Sequence, residues 1–173
     1  MKILKKAQIS VVFLLLSALL LSAGCVKDKR FDYSELALRL AQADEAYAFR
    51  ESDLFFADGI YYCYYSLGEA DDTLLTMKED ADGKLDRVTL TLSAPPTDAR
   101  YGAFRDFALT LAEIFIPDAD TEAIREKTNL DAPEAILKQT VTYYTNGFYS
   151  AAVFAAEQGT CFIARYSEVY EKE

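Results

Sequence analysis

"KLDRVTLTLS" (residues 84–93) alternates from Arg87 onward, with Val88, Leu90 and Leu92 at one parity and Arg87, Thr89 and Thr91 at the other. Period two with apolar residues at a single parity marks a strand that lays one face on a core and turns the other away from it. Just upstream, "EDADGK" (79–84) holds Asp82-Gly83, a pair that favours a tight hairpin. "DTLLTMKED" (72–80) and "IYYCYYSLG" (60–68) therefore read as two further strands of one meander, which "SAPPTD" (93–98) closes with two prolines.

Outward from this meander the reading turns helical. "YSELALRLAQADEAYAFR" (33–50) repeats Leu36, Leu38, Leu40, Ala43 and Tyr47 at helical spacing, with Ser34 as its cap and an end near residues 51–53. "LFFADG" (54–59) then carries the chain into a turn. Beyond the prolines, Phe104, Phe107, Ala108, Leu111, Ile114 and Phe115 form the strongest apolar stripe of the chain, stopped by Pro117. Shorter helices follow over about 121–128 and 132–138, the last with Asp131 as cap and Pro133 in its first turn. "TVTYYTN" (140–146), "FYSAAVFAAE" (148–157) and "TCFIARYSE" (160–168) read as strands, with Asn146-Gly147 and Gln158-Gly159 as turn signals.

The two halves share this order without sequence identity strong enough to establish a duplication. The fold expected is α+β: an antiparallel sheet of about six strands with helices packed on one face, ordered α-β-β-β-α-α-β-β-β. That order is similar to the TBP-like and β-lactamase-inhibitor-protein layouts, an analogy of element order that carries no function.

The N-terminus has the layout of an export signal. Lys2, Lys5 and Lys6 precede an apolar run from Ile9 to Leu21, and Ser22, Ala23 and Gly24 lead into Cys25. "LLLSAGCVKDKR" (19–30) resembles the lipobox of bacterial lipoproteins in a relaxed form, with Ser22 at the usual leucine place and Leu21 one residue earlier. The resemblance covers residues 1–25. It implies cleavage before Cys25, a diacylglyceryl group on its sulfur and a chain anchored in the cell membrane or outer membrane, facing away from the cytoplasm. Two or more acyl chains hold a protein stably at a bilayer where one holds it marginally. Position 26 is Val, so the aspartate that keeps such proteins at the inner membrane is absent. The domains expected are a signal peptide (1–24), a lipidated cysteine with a short tether (25–33) and one α+β domain (34–173).

Composition narrows the partners. Removing residues 1–24 takes out three lysines and no acid, so the net charge moves from −10 to −13. A chain this acidic is repelled by phosphate backbones, which disfavours nucleic acid, and by anionic headgroups. Histidine is absent, and with it the commonest general base and Zn ligand and every Ser-His-Asp or Cys-His nucleophile arrangement. Cys63 and Cys161 remain after Cys25; in an exported chain this even pair permits one disulfide, and each equally suits a small buried hydrophobe.

Acidic stretches admit bland readings. Asp80, Asp82 and Asp86 resemble part of a calcium loop, but the place of its closing glutamate is Thr91, inside a strand. Asp118 and Asp120 stand ahead of a helix, where capping accounts for them. No metal or cofactor is called for. A carboxylate-dependent hydrolase of cell-wall or extracellular polymer is the alternative function, and nothing in the sequence brings two acids together for it.

Tyrosine is in excess, at 12 residues. Tyr61, Tyr62, Tyr64 and Tyr65 flank Cys63, while Tyr143, Tyr144 and Tyr149 hold the corresponding strands of the second half. Consecutive tyrosines in a strand must send rings to both faces. The function expected is therefore a non-enzymatic, envelope-anchored binding domain whose tyrosine-rich sheet face, through Tyr62, Tyr64, Tyr144 and Tyr149, meets an envelope protein or glycan.

Overall fold

The computed structural model describes residues 29–67, 72–138 and 141–167; the signal segment and Cys25 lie outside these described residues. The chain runs through helix α1 (Tyr33–Ala43), strands β1 (Leu54–Ala57), β2 (Ile60–Tyr65), β3 (Thr73–Glu79) and β4 (Leu85–Leu92), and helices α2 (Tyr101–Phe115), α3 (Thr121–Thr128) and α4 (Pro133–Leu137). Strands β5 (Tyr143–Asn146), β6 (Tyr149–Ala156) and β7 (Gly159–Tyr166) complete it. All seven strands pair antiparallel in one sheet of order β1-β2-β3-β4-β7-β6-β5.

The sheet has seven strands where six are expected, because "LFFADG" is an edge strand and its turn. Asp58 and Gly59 both sit at positive φ, 52° and 77°, and Ala57 pairs with Ile60 across them. That is a two-residue hairpin whose backbone twist suits antiparallel strands, and Asp-Gly favours it. Four residues are too few for alternation to show.

Helix α1 also differs from expectation. Asp32, not Ser34, accepts the Glu35 N–H at its start, and it ends at Ala43. Asp44 ends it: its N–H returns to the Leu40 carbonyl and its carboxylate accepts from Ala46, starting a single 3-10 turn at Glu45–Tyr47. Leu36 and Leu40 are fully buried, whereas Leu38 points away. Ahead of α4, Asp131 does not cap, because its carboxylate accepts from Arg105 and Arg125.

The helices cover one face of the sheet. Cys63, Leu75, Leu90, Phe162 and Val153 face one another across five strands on that side, and Phe104, Phe107 and Leu111 of α2 are fully buried with them in one core. Tyr47 stacks on Phe107 at 4.1 Å between ring centroids. Burying side chains of this size stabilises by about 1.5–3 kcal/mol each. The two halves meet at β4 and β7: the first helix-then-meander unit contributes four strands and the second three, and apart from the edge strand β1 the order mirrors about that pair.

The entering chain belongs to the packed domain from Lys29 onward, within the stretch expected to be a tether. Phe31 is buried and its carbonyl accepts from Leu85 at 2.8 Å. Arg30 pairs with Asp80 in the β3–β4 turn and lies 4.3 Å over the Tyr166 ring.

Candidate functional site

The face of the sheet opposite the helices is set by register. Tyr62, Thr76, Thr89, Ile163, Ala152 and Tyr143 form one row across six strands, with Phe55 beside Tyr62 at the β1 edge. Tyr64, Leu74, Thr91, Cys161 and Phe154 form the next. At the end of the sheet where the chain enters, Lys78, Arg87 and Arg165 follow one another on β3, β4 and β7, with Ser150 next on β6. Aromatic rings thus stand at both edges, with Phe55 65 %, Tyr64 64 % and Tyr143 56 % exposed. Near Tyr143, a groove of about 130 Å³ is lined by Ala152, Phe154, Ile163, Ser150 and Arg165.

Against this surface the tyrosines singled out from sequence divide. Tyr62 and Tyr64 lie on the uncovered face, paired with Thr76 and Leu74. Tyr144 and Tyr149 lie on the covered side, a correction to the surface expected. Tyr144 is buried with its hydroxyl accepting from the Asp120 N–H at 3.3 Å, and Tyr149 packs edge-on against Phe115 and Tyr166. The residue that joins Tyr62 and Tyr64 on the uncovered face is Tyr143, whose parity follows from the Asn146–Tyr149 hairpin pair. Phe55, Phe154 and the three cations were not visible from sequence, since their neighbourhood depends on the β1 strand and on the β4–β7 pairing.

Of the two alternatives open for the remaining cysteines, the structure has the buried thiols and not the bridge. Cys63 and Cys161 are free thiols. Cys63 faces the helices in the Leu75–Leu90 row, Cys161 faces the other way beside Thr91, and β3 and β4 run between their strands. No rotamer bridges opposite faces of a sheet at that separation. Burial pushes the Cys63 thiol up to about 11 and raises that of Cys161, so both are poor nucleophiles at neutral pH.

Comparison with family models, curated proteins and solved structures gives no match.

The acids that approach one another are bridged by arginines. Arg100 donates to Asp72 at 2.6 Å and to Asp98 at 2.7 Å, and Arg105 pairs with both Asp106 and Asp131. The Asp80 carboxylate accepts from the N–H groups of Asp82 and Lys84 and from Arg30, which occupies it within its own turn. Among the described residues no group of three ligating side chains is placed to hold a metal ion, and no helix is long and apolar enough to cross a membrane.

Proposed function

We propose that this chain is an envelope-anchored lipoprotein, held at a membrane through Cys25, whose uncovered sheet face binds another component of the envelope. The observation that carries the binding half is the composition of that face: exposed Phe55, Tyr64 and Tyr143 around a threonine and aliphatic centre, with its charges gathered at one end. Tyrosine and phenylalanine give large contact area at low entropic cost. A sheet with helices on one side leaves the other side for a partner, and among the described residues no helix packs on that side. The anchoring half is supported by the signal layout and lipobox of residues 1–25.

The test is site-specific photo-crosslinking in intact cells. A crosslinker at Thr89, in the middle of the uncovered face, is expected to trap a discrete partner, while one at Glu113, on the helix layer, traps none. Equal or absent trapping from both positions would overturn the binding role. Separately, Cys25→Ser is expected to release the protein from membranes, and a variant still membrane-bound would contradict the anchor.

A further inference from the structure

We infer that the partner is another protein and that it brings an acidic, apolar surface to the uncovered sheet face, with its carboxylates against the row Lys78, Arg87 and Arg165. The inference rests on the proposed binding role of that face and names what it binds.

Charge segregation carries the argument. The chain has 28 acids against 18 cations, yet the charged residues within its seven strands are Lys78, Glu79, Asp86, Arg87 and Arg165. Glu79 is turned to the other side, where it accepts from the Tyr33 N–H. The register then places three cations on consecutive strands, Lys78 opposite Arg87 and Arg87 opposite Arg165, at the inter-strand spacing of about 4.8 Å. Like charges directly opposite one another oppose sheet formation. Relief within the face is partial: Asp86, at the bulge, lies 4.0 Å from Lys78 and leaves its other oxygen without a hydrogen-bond partner among the described residues, and Arg165 donates to Ser150. Arg87 has no carboxylate within ion-pair distance among the described residues.

An anionic partner completes this row, and the rows beside it decide which kind. Ile163, Leu74, Phe154 and Tyr143 offer apolar area that a polyanionic chain without an apolar face leaves wet. Aromatic residues with arginine are the composition enriched at protein interfaces, and complementary charge fixes register there. The net negative charge opposes the approach of any anionic partner at long range, but charges beyond a Debye length of about 8 Å are largely screened, so at contact the partner meets the cationic row first.

The test measures binding of labelled probes by fluorescence anisotropy to the full lipidated protein in detergent. The probes are an amphipathic helical peptide of Glu, Ala and Leu, the same peptide with Lys for Glu, and inorganic polyphosphate. Expected are saturable, salt-sensitive binding of the Glu peptide, at least tenfold weaker binding in Arg87→Glu/Arg165→Glu and in the milder Arg87→Gln/Arg165→Gln, and no binding of the Lys peptide. Equal binding of the Lys peptide overturns the inference, as does polyphosphate binding with the same arginine dependence, which identifies a polyanion instead. Self-association of the protein lost with the arginines also overturns it, by identifying a second copy as the occupant. Binding that is lost in Tyr64→Ser/Tyr143→Ser but insensitive to the arginines overturns the acidic partner and keeps the face; insensitivity to both removes the face as well.

Discussion

Arg100 is a residue through which acid acts on stability. It holds two carboxylates from two loops, Asp72 ahead of β3 and Asp98 ahead of α2, and the buried Asp72 also accepts from the Thr73 hydroxyl and the Leu67 N–H. Hydrogen bonds from the Arg100 side chain and backbone lower Asp98 to about 2. Burial raises Asp72, but the bonds from Arg100, Thr73 and Leu67 outweigh it and hold that carboxyl below its ordinary value. A carboxylate whose folded pKa is depressed contributes stability that is fully present above its unfolded value of about 3.9 and is lost as pH falls through the folded one. Arg100→Gln removes this contribution and leaves Asp72 buried without its cation. Urea midpoints of the two proteins should therefore lie furthest apart near pH 7 and converge between about pH 4 and pH 2. A gap that stays constant or widens on acidification would contradict the assignment.

At the scale of the element, the β6–β7 hairpin is fixed by the close approach of its turn to β4. Gly159 has φ +132°, and a Cβ built there would stand 1.9 Å from the Leu92 carbonyl oxygen. The next residue, Thr160, is fully buried and donates its hydroxyl to the Ala94 carbonyl at 2.9 Å. Gly159→Ala must therefore push β7 away from β4 as well as adopt a backbone that L residues avoid. A cost of about 3 kcal/mol or more is expected, against less than about 1 kcal/mol for Gly102→Ala in α2, where a Cβ meets nothing and alanine is the better helix former. Equal unfolding midpoints for the two variants would refute this. The same hairpin shows what the sequence made legible. Gln158-Gly159 marked the turn, and alternation in β4 marked its buried parity. Elements with long periodic stripes, such as α2, were equally plain. Short elements were not: β1 has four residues, and the end of α1 depends on Asp44 competing for backbone donors, which a stripe of leucines does not report. Face assignment in "TYYTN" depends on one residue of register, which is why Tyr143, and not Tyr144, reaches the uncovered face. Rows such as Lys78-Arg87-Arg165 need the β4–β7 pairing, a contact between residues far apart in the chain.

For the whole molecule, the way the chain enters decides which end of the sheet the proposed anchor at Cys25 would lie nearest. With Phe31 buried and Arg30 held by Asp80 and Tyr166, only Val26, Lys27 and Asp28 separate Cys25 from Lys29. Four residue steps span at most about 14 Å, so a domain lipidated at Cys25 has little freedom to reach away from the bilayer. The β3–β4 turn, which contacts the entering segment, belongs to the proximal end, and the β6–β7 turn lies at the other end of eight-residue strands, about 26 Å away. The cationic row is at the proximal end, since Arg87 and Arg165 precede and follow the rest of their strands there. The partner's carboxylates would consequently meet the protein close to the membrane surface. Energy transfer to a headgroup acceptor in reconstituted vesicles measures this directly, with a dye on Asp82→Cys or on Gln158→Cys. Cys63 and Cys161 leave the labelling clean, because both thiols are buried with raised pKa values. Transfer should be clearly greater from position 82 than from position 158. A reversed order would mean that the domain tips over on its tether, and equal transfer would mean that it tumbles, so that the cationic row would lose its fixed place beside the bilayer.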